Sequence, residues 1–382
     1  MLKSIILAVA LLSMSLPALS ESYFDHRRVF SQLGNALDKY DQIELLPESK
    51  WLGRDQQSTT SDMYKIIDSV VRSMDSADML KLRQDYRRIE RLIEAERQRI
   101  VDLRERRQFA PATDATTLTR YTPTQTLRTM TASTRGDYDM LIEARQENIT
   151  AYREDLSRIR TEMASHLEAI GISLNPDQVE LWLSSVIGDD VMSMSIVFNS
   201  IKEVTIQLEE LTRESGENLT NAKRYYGMII ILHKLVVRMQ EDFIANVDSA
   251  IIPKLNEYMD EANSIIADSR RQISEGGRRE VLENNIAQNE FTKQAIQLYT
   301  RIIKSQRDKV ANALTISKRE EAVAINTYRT VRLSSAVVEQ IRDGVRTFET
   351  LSNLQLPDAT EFSNNEMREE FRKLTDRLNT GN

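Results

Sequence analysis

Residues 269–303 read SRRQISEGGRREVLENNIAQNEFTKQAIQLYTRII and contain the chain reversal around which we expect the rest of the molecule to be arranged. The pair Gly276-Gly277 can adopt positive φ angles, so it can end one helix and allow the chain to return as another. The stretch from Arg278 to Leu351 contains no proline and a single glycine, Gly344. We therefore predict two long antiparallel helices joined at a tip, residues 275–278.

The return arm carries apolar or small residues at alternating steps of four and three, which is the heptad spacing of a coiled coil. At 1.5 Å per residue this arm would be roughly 110 Å long. The positions are Thr292, Ile296, Tyr299, Ile303, Gln306, Val310, Ala313, Ser317, Glu320, Ala324, Thr327, Val331, Ser334, Val338, Ile341, Val345 and Phe348. The preceding arm repeats the spacing at Tyr225, Ile229, Leu232, Val236, Met239, Phe243 and Val247.

Polar residues such as Gln306 and Ser317 weaken this row, so we expect other helices to pack along the lower part while the tip projects. Pro253 lies inside the first arm and predicts a kink or break near Ala250. The hairpin resembles the one that periplasmic adaptor proteins of efflux pumps present to an outer-membrane channel. Because no strand-rich segments flank it, no family assignment follows.

The first residues have the pattern of a secretory signal. Lys3 supplies the positive charge, Ile5 to Leu19 the apolar stretch, and Ala18-Leu19-Ser20 a cleavage site of small residues before Glu21. The apolar stretch is short for a bilayer span, which disfavours the alternative of an uncleaved anchor. We therefore predict a periplasmic protein that is exported through a cleavable signal peptide.

Composition points to an all-helical protein. The chain of 382 residues contains 11 glycines, 7 prolines and no cysteine, and 29% of its residues are charged. Without cysteine there are no disulfides, so packed helices must supply the stability. A formal charge of −7 argues against nucleic-acid binding as the main task. We expect an all-α fold of elongated antiparallel helical hairpins in a coiled-coil bundle, with a small helical hub.

The patterning divides the chain into six consecutive regions. They are a signal peptide (1–20), an N-terminal helical region (21–75), a first helical hairpin (76–170) with a threonine-rich linker (110–134), an apolar helical hub (171–216), the long coiled-coil hairpin (217–352) and a C-terminal tail helix (353–382).

The first hairpin pairs a helix from Ser76 to Arg107 with one from Gly136 to Ile170. Glu96 interrupts the apolar row of the first helix, and a buried acid needs a partner. Ten of the 25 residues of the linker are threonine, which predicts an extended or disordered loop. The arginine-rich run from Arg83 to Arg107 predicts a solvated face, or alternatively a contact with an anionic partner.

In the hub, Asn175 is a predicted helix cap followed by Pro176, and Gly188-Asp189-Asp190 predicts a break. The next helix, Val191 to Leu211, is apolar on nearly all sides, which is typical of burial or of a partner contact. The candidate hub residues are Trp182, Val197, Phe198 and Ile201. We expect them to pack inside the chain, with a ligand or lipid pocket as the alternative.

We find no signature of catalysis or of a cofactor. Glu162 and His166 lie one helical turn apart but lack the further ligands that a metal site needs. Aspartate is a common turn and helix-cap residue. We therefore interpret the adjacent Asp189 and Asp190 in that role rather than as an acid–base pair. The sequence therefore predicts no catalytic, cofactor-binding or metal-binding residue.

The tip lies at the end of the long hairpin, where it protrudes, and it is rich in arginine. We therefore expect the tip to contact a partner, with the threonine-rich linker as the second choice. The candidate contact residues are Arg270, Arg271, Gly276, Gly277, Arg278 and Arg279.

Together these observations predict an exported, non-enzymatic scaffold or adaptor of a bacterial cell-envelope complex, bound to an envelope or inner-membrane protein. One alternative is a periplasmic ligand- or lipid-binding or sensing module with its pocket in residues 176–211. Another is an enzyme that uses Asp189 and Asp190. Incompletely filled heptad rows also favour self-association into a homo-oligomer.

Overall fold

The computed structural model describes residues 24–49, 53–121, 125–214, 219–331 and 365–380, so the predicted signal peptide lies outside the described residues. Within these ranges the secondary structure is helical and includes no strand, which confirms the all-α class. None of the described helices combines the length and the apolar content that crossing a bilayer requires. The helices are α1 (His26–Ile43), α2 (Gln56–Met74), α3 (Ala77–Phe109), α4 (Thr117–Tyr121), α5 (Gln125–Thr131), α6 (Arg135–Ala169), α7 (Pro176–Leu183), α8 (Gly188–Glu214), α9 (Leu219–Asn246), α10 (Ile252–Ser274), α11 (Arg279–Val331) and α12 (Asn365–Thr380).

Side-chain caps determine where several helices begin. Asn175 caps α7, as predicted, and Ser76, the predicted start of the first hairpin, caps α3. Helix α2 starts several residues before Ser61 and Asp62, which could also cap a helix, because Asp55 already accepts a hydrogen bond of 2.8 Å from the Ser58 N–H. An acid at the cap satisfies a backbone donor that would otherwise have no partner, so the earlier start is the stable one.

Helices α9, α10 and α11 form the long hairpin. Ion pairs join the two arms, and their residue numbers rise on one arm as they fall on the other, which defines an antiparallel register. These pairs are Lys234–Glu321, Glu241–Lys318, Asp248–Arg307 and Arg270–Glu290.

The reversal occurs at the predicted glycines, and each has its own reason to be glycine. Gly276 has a φ of +90°, which is the left-handed region that side chains disfavour. Gly277 lies so close to the end of α10 that a Cβ would come within 2.8 Å of the Gln272 carbonyl oxygen. The predicted turn is therefore confirmed.

The predicted interruption near Ala250 is also confirmed, and it takes the form of a π-turn, Val247–Ile251. The Ile252 N–H donates to the Val247 carbonyl, one residue further back than in an α-helix. Pro253 has no N–H with which to continue the α-helical ladder, so the chain changes its hydrogen-bonding step there.

The predicted heptad row on α11 is buried over its central part. The buried positions are Ile296, Tyr299, Ile303, Gln306, Val310, Ala313, Ser317 and Ala324. Further along, Tyr328 is buried rather than Thr327, and the positions from Ser334 to Phe348 lie outside the described residues. The spacing alone thus identified the face of α11 that packs.

Helix α9 is buried on nearly all sides, which the single predicted row did not anticipate. Ile229 to Leu232 are consecutive residues and all are buried, together with Leu235 and Val236. The reason is that α9 contacts α11, α8, α1 and α2. The core therefore includes α9 as well as α8 and extends to the helices around them, so the hub predicted at 171–216 contains only part of it.

The first hairpin, α3 and α6, has the predicted antiparallel pairing, and its buried acid is satisfied. Arg145 of α6 donates from Nη1 to both carboxylate oxygens of Glu96, at 2.9 and 3.0 Å, and Arg99 adds a contact of 2.7 Å. The buried face of α6 drifts at its end, where His166 is exposed and Leu167 is buried. This drift follows from the mismatch between the heptad and the 3.6-residue turn.

Two further expectations are wrong. The linker 110–134 contains the short helices α4 and α5 rather than an extended or disordered loop throughout. In the hub, α7 ends at Leu183, and Gly188-Asp189-Asp190 forms the first turn of α8 instead of a break. Acidic side chains are favourable at a helix N-terminus, so the two aspartates begin a helix there.

Helix α12 returns to the body of the molecule with Phe371, Leu374 and Leu378 buried. It contacts the hub, but on α11 it packs at Tyr299, nearer to the turn than to the base.

A chain of hydrogen bonds links these segments. The Val186 N–H donates to the Tyr299 hydroxyl at 2.6 Å, the Tyr299 and Thr375 hydroxyls lie 2.7 Å apart, and the Thr375 hydroxyl donates to the Ser184 carbonyl at 2.6 Å. Since Thr375 donates its proton to Ser184, Tyr299 must donate to Thr375.

We expect Tyr299→Phe to lower the free energy of unfolding by about 2 kcal/mol, because it leaves a buried N–H and a buried hydroxyl without their partner. Urea denaturation followed by circular dichroism measures this. Thr375→Val breaks the same chain, so the double variant should lose clearly less than the sum of the two single losses. Additive losses would contradict a shared network.

Candidate functional site

The tip that we predicted as a contact surface is an exposed pair of helix ends. From residue 263 to residue 291 the buried side chains are Ile266, Ser269 and Leu282. The remaining side chains of this segment are exposed or partly exposed, so the end of the long hairpin consists of two helices that pack only on each other.

The tip arginines surround the turn but much of their charge is balanced locally. Ion pairs connect Arg271 to Asp268 at 2.8 Å, Arg279 to Glu283 at 3.2 Å and Arg270 to Glu290 at 3.7 Å. Arg278 lies next to Gly277 and is exposed. The tip therefore presents a mixed-charge surface rather than a purely basic one.

The candidate hub residues are brought together, but as core. Trp182, Val197, Phe198 and Ile201 are all at most 3% exposed. The clefts described below are lined by other residues. This packing matches the expectation of burial inside the chain and counts against a ligand pocket around these four side chains.

One cleft of about 380 Å³ lies between α2, α8 and α9. Its floor includes Met194 and Phe243, and its charged lining includes Asp190, Arg238 and Asp242. Burial raises the pKa of both Asp190 and Asp242 above the usual value for aspartate. The cleft thus combines an apolar floor with carboxylates that are partly desolvated.

The adjacent acids of the hub diverge. Asp189 forms an ion pair of 3.1 Å with Arg87 of α3. Asp190 lines the cleft and accepts a hydrogen bond of 3.2 Å from the Asn246 side chain. Because the two carboxylates face different partners, they do not form the converging pair that acid–base catalysis requires.

A second cleft of about 300 Å³ lies between α3, α6, α7 and α12. Glu90 lines it with Tyr86, Glu180 and Arg372. Burial raises the pKa of Glu90 to about 7, although the nearby Arg372 opposes this shift. The side chain is therefore partly protonated near neutral pH, which the sequence pattern did not reveal.

Arginines of the arginine-rich run of α3 form contacts with other segments of the same chain. Arg83 contacts Asp75 at 3.2 Å and the backbone oxygen of Asp189 at 3.1 Å, and Arg97 contacts Glu369 of α12 at 2.6 Å. The expectation of a solvated face is wrong for these residues. They join α3 to segments that are distant in sequence, which a local pattern cannot show.

Glu162 and His166 are both exposed on α6. Across the described ranges, no three histidine, aspartate or glutamate side chains lie close enough together to hold a metal ion.

At the far end of α3 and α6, the described residues 106–121 and 125–136 form a folded segment that we call the cap. Asp137, the third residue of α6, is buried beneath it and accepts hydrogen bonds from the backbone N–H groups of Thr116, Ser133 and Thr134 at 2.6 to 3.1 Å. Burial alone would raise the pKa of Asp137, but these hydrogen bonds hold it at about 2. One carboxylate thus organises the threonine-rich segment.

Compared with protein-family models, with curated proteins and with solved structures, the chain matches none of them.

We expect Glu90→Gln to change how stability depends on pH. The native pKa of about 7 lies above the unfolded value, so protonation of Glu90 favours the folded state, and this contribution is lost as the pH rises from about 4.5 through 7. At pH 8 the variant should be more stable than the wild type by on the order of 1 kcal/mol, and at pH 5 the two should be nearly equal.

Urea midpoints measured at pH 5 and pH 8 provide this comparison. Glu94→Gln, at a more exposed position of the same helix, is the matched control and should shift neither midpoint. Equal midpoints for the wild type and Glu90→Gln at both pH values would rule out a desolvated carboxyl in this cleft.

Proposed function

We propose that this protein is an exported, non-enzymatic helical scaffold or adaptor of a bacterial cell-envelope complex, and that it acts through protein–protein contacts. The observation that carries the proposal is that two antiparallel helix pairs leave the packed core and end in exposed segments. One pair is α10 with the start of α11, and the other is α3 with α6. Such ends can reach partners that the core itself does not touch.

The tip of the long hairpin is the proposed contact with an envelope or inner-membrane protein. Helix α12 contacts α11 from Tyr299 to Thr292, and Gly277 lies 15 residues before Thr292, so the tip extends roughly 20 Å beyond that contact. Complementary charges at an interface determine register and partner choice more than raw affinity. A mixed-charge end such as the one around Arg271 and Arg278 suits that task.

The secretory pattern of residues 1–20 supports the proposed location in the periplasm. A homo-oligomer also belongs to this proposal because the heptad rows of the sequence are incompletely filled, although the central part of the row on α11 is buried within the chain.

A second candidate function is a ligand-binding or sensing module. The cleft between α2, α8 and α9 favours it, because an apolar floor with Asp190 and Asp242 at its edge can hold a small molecule. The site would then lie beside the hub rather than around Trp182 and Phe198.

Photo-crosslinking in cells tests the scaffold proposal. A crosslinker placed at Arg271 or Arg278 should capture a discrete envelope protein, whereas one placed at exposed Lys304, on the shaft of α11, should not. Charge reversal by Arg278→Glu should lower the captured amount about ten-fold, because like charges at an interface are strongly unfavourable. Arg301→Glu is the matched control for net charge.

Capture of the same species from the tip and from the shaft would contradict a specific tip contact. The scaffold proposal would also be contradicted if this protein were purified from envelope extracts without any co-purifying envelope component.

A further inference from the structure

The cap exposes large apolar side chains to an unusual degree. The described residues expose thirteen such side chains, and five of them lie in the cap. Their exposed fractions are 83% for Phe109, 66% for Leu118, 78% for Tyr121, 49% for Leu127 and 77% for Met130. Single exposed apolar residues are ordinary, but a cluster of this kind marks a contact surface.

The cap is folded, so this exposure is a property of a defined structure. The N–H groups of Arg135 and Gly136 donate to the carbonyls of Pro111 and Thr113 at 3.0 and 3.1 Å. A Cβ on Gly136 would lie 2.2 Å from the Ala115 nitrogen, so glycine permits this close crossing of the chain. Buried Asp137 holds the same crossing from the inside through its hydrogen bonds to Thr116 and Thr134.

The polarity of the cap is inverted. Its polar backbone groups and several hydroxyls are bonded internally around Asp137, while its large apolar side chains face outward. A loop that faces only water has no need of that arrangement, because burying apolar groups and exposing polar ones is favourable. The surface is therefore suited to a partner with an apolar layer.

The charge of the cap indicates which partner. Residues 106–136 contain five arginines, Arg106, Arg107, Arg120, Arg128 and Arg135, and one acid, Asp114, whereas the whole chain carries −7. Two more acids follow. Asp137 is buried, and Asp139 pairs with Arg107 at 2.5 Å, so neither offsets the other arginines at the surface.

Arginine beside exposed aromatic and aliphatic side chains is the combination that binds the interface of an anionic bilayer. The apolar groups enter the boundary between headgroups and acyl chains, the aromatic rings favour the headgroup level, and the guanidinium groups contact lipid phosphates. The exposed apolar side chains of the cap protrude individually. This suits a lipid bilayer, which is fluid and adapts around each side chain.

We propose that the cap is a membrane-contact surface that binds bilayers containing anionic phospholipid. Phe109, Tyr121 and Met130 enter the interface, and Arg106 and Arg120 contact the headgroups. This surface adds a second attachment to the proposed scaffold and does not depend on its protein partner. Lipid vesicles without any protein partner therefore test the membrane contact. If the cap does not bind vesicles, the proposed tip contact is unaffected, because crosslinking tests it separately.

Flotation of the purified full-length protein with lipid vesicles is the first experiment. Binding to vesicles of phosphatidylcholine with phosphatidylglycerol should exceed binding to pure phosphatidylcholine, and should fall as salt is raised. The variant with Phe109→Ser, Tyr121→Ser and Met130→Ser should lose most of the binding. Arg106→Gln with Arg120→Gln should weaken it by roughly five-fold for each arginine removed.

Matched controls alter the same chemistry elsewhere. Leu45→Ser, Ile206→Ser and Val323→Ser remove three exposed apolar side chains outside the cap, and Arg278→Gln with Arg301→Gln removes two exposed charges. Both controls should bind vesicles as the wild type does. Every variant carries the same residues 1–23, so any membrane affinity of that segment is equal throughout.

The absence of cysteine permits a direct test of insertion. An environment-sensitive fluorophore on Phe109→Cys should shift its emission to the blue with anionic vesicles and not with neutral ones. The same fluorophore on Leu45→Cys should show no shift. The proposal is overturned if the wild type ignores anionic vesicles, or if the cap variants bind as well as the controls. It is also overturned if the cap label shifts only on adding envelope proteins, which would make the cap a protein-docking surface.

Discussion

The fully buried hydroxyl of Tyr299 holds together three parts of the chain that are far apart in sequence. It belongs to the long hairpin, accepts a hydrogen bond from the hub at Val186 and donates one to Thr375 of the tail helix. Each donor and acceptor in this series of hydrogen bonds is used once. If one of the three segments moved away, a buried polar group would lose its hydrogen-bond partner. Burial also raises the pKa of Tyr299, which keeps the phenol neutral and able to donate.

The outline of the fold could be predicted because local patterns encode local structure. The heptad row from Ile296 to Ser317, the turn at Gly276 and the cap at Asn175 each depend on residues within a few turns of one another. The burial of α9 could not be read in this way. A pattern search finds one face of a helix, whereas α9 is surrounded by several helices whose positions depend on distant contacts.

The sites were harder to predict for a related physical reason. An arginine in a sequence has the same charge wherever it lies, but its role depends on what faces it. Arg83 and Arg97 pair with acids of other segments, Arg83 in a buried position and Arg97 in a partly exposed one. Residues 106–136 contain five arginines and one acid, and of these arginines Arg107 pairs with Asp139. The composition shift at residues 110–134 did single out this segment, but the sequence suggested an extended loop, because threonine disfavours helix interiors and the ordering role of Asp137 has no sequence signature.

The two exposed ends differ in the physics of contact that they offer. At the tip, paired charges around Arg271 leave little net charge and little exposed apolar area, so attraction there depends on the exact placement of complementary groups. At the cap, unbalanced arginines and protruding rings attract any surface that is anionic and apolar beneath. The contact at the tip selects one protein partner, whereas the contact at the cap tolerates a fluid partner such as a bilayer. In the proposed scaffold, selection and attachment would therefore be separated, because selecting one protein partner requires charges in fixed complementary positions, whereas a fluid bilayer adapts to protruding apolar groups.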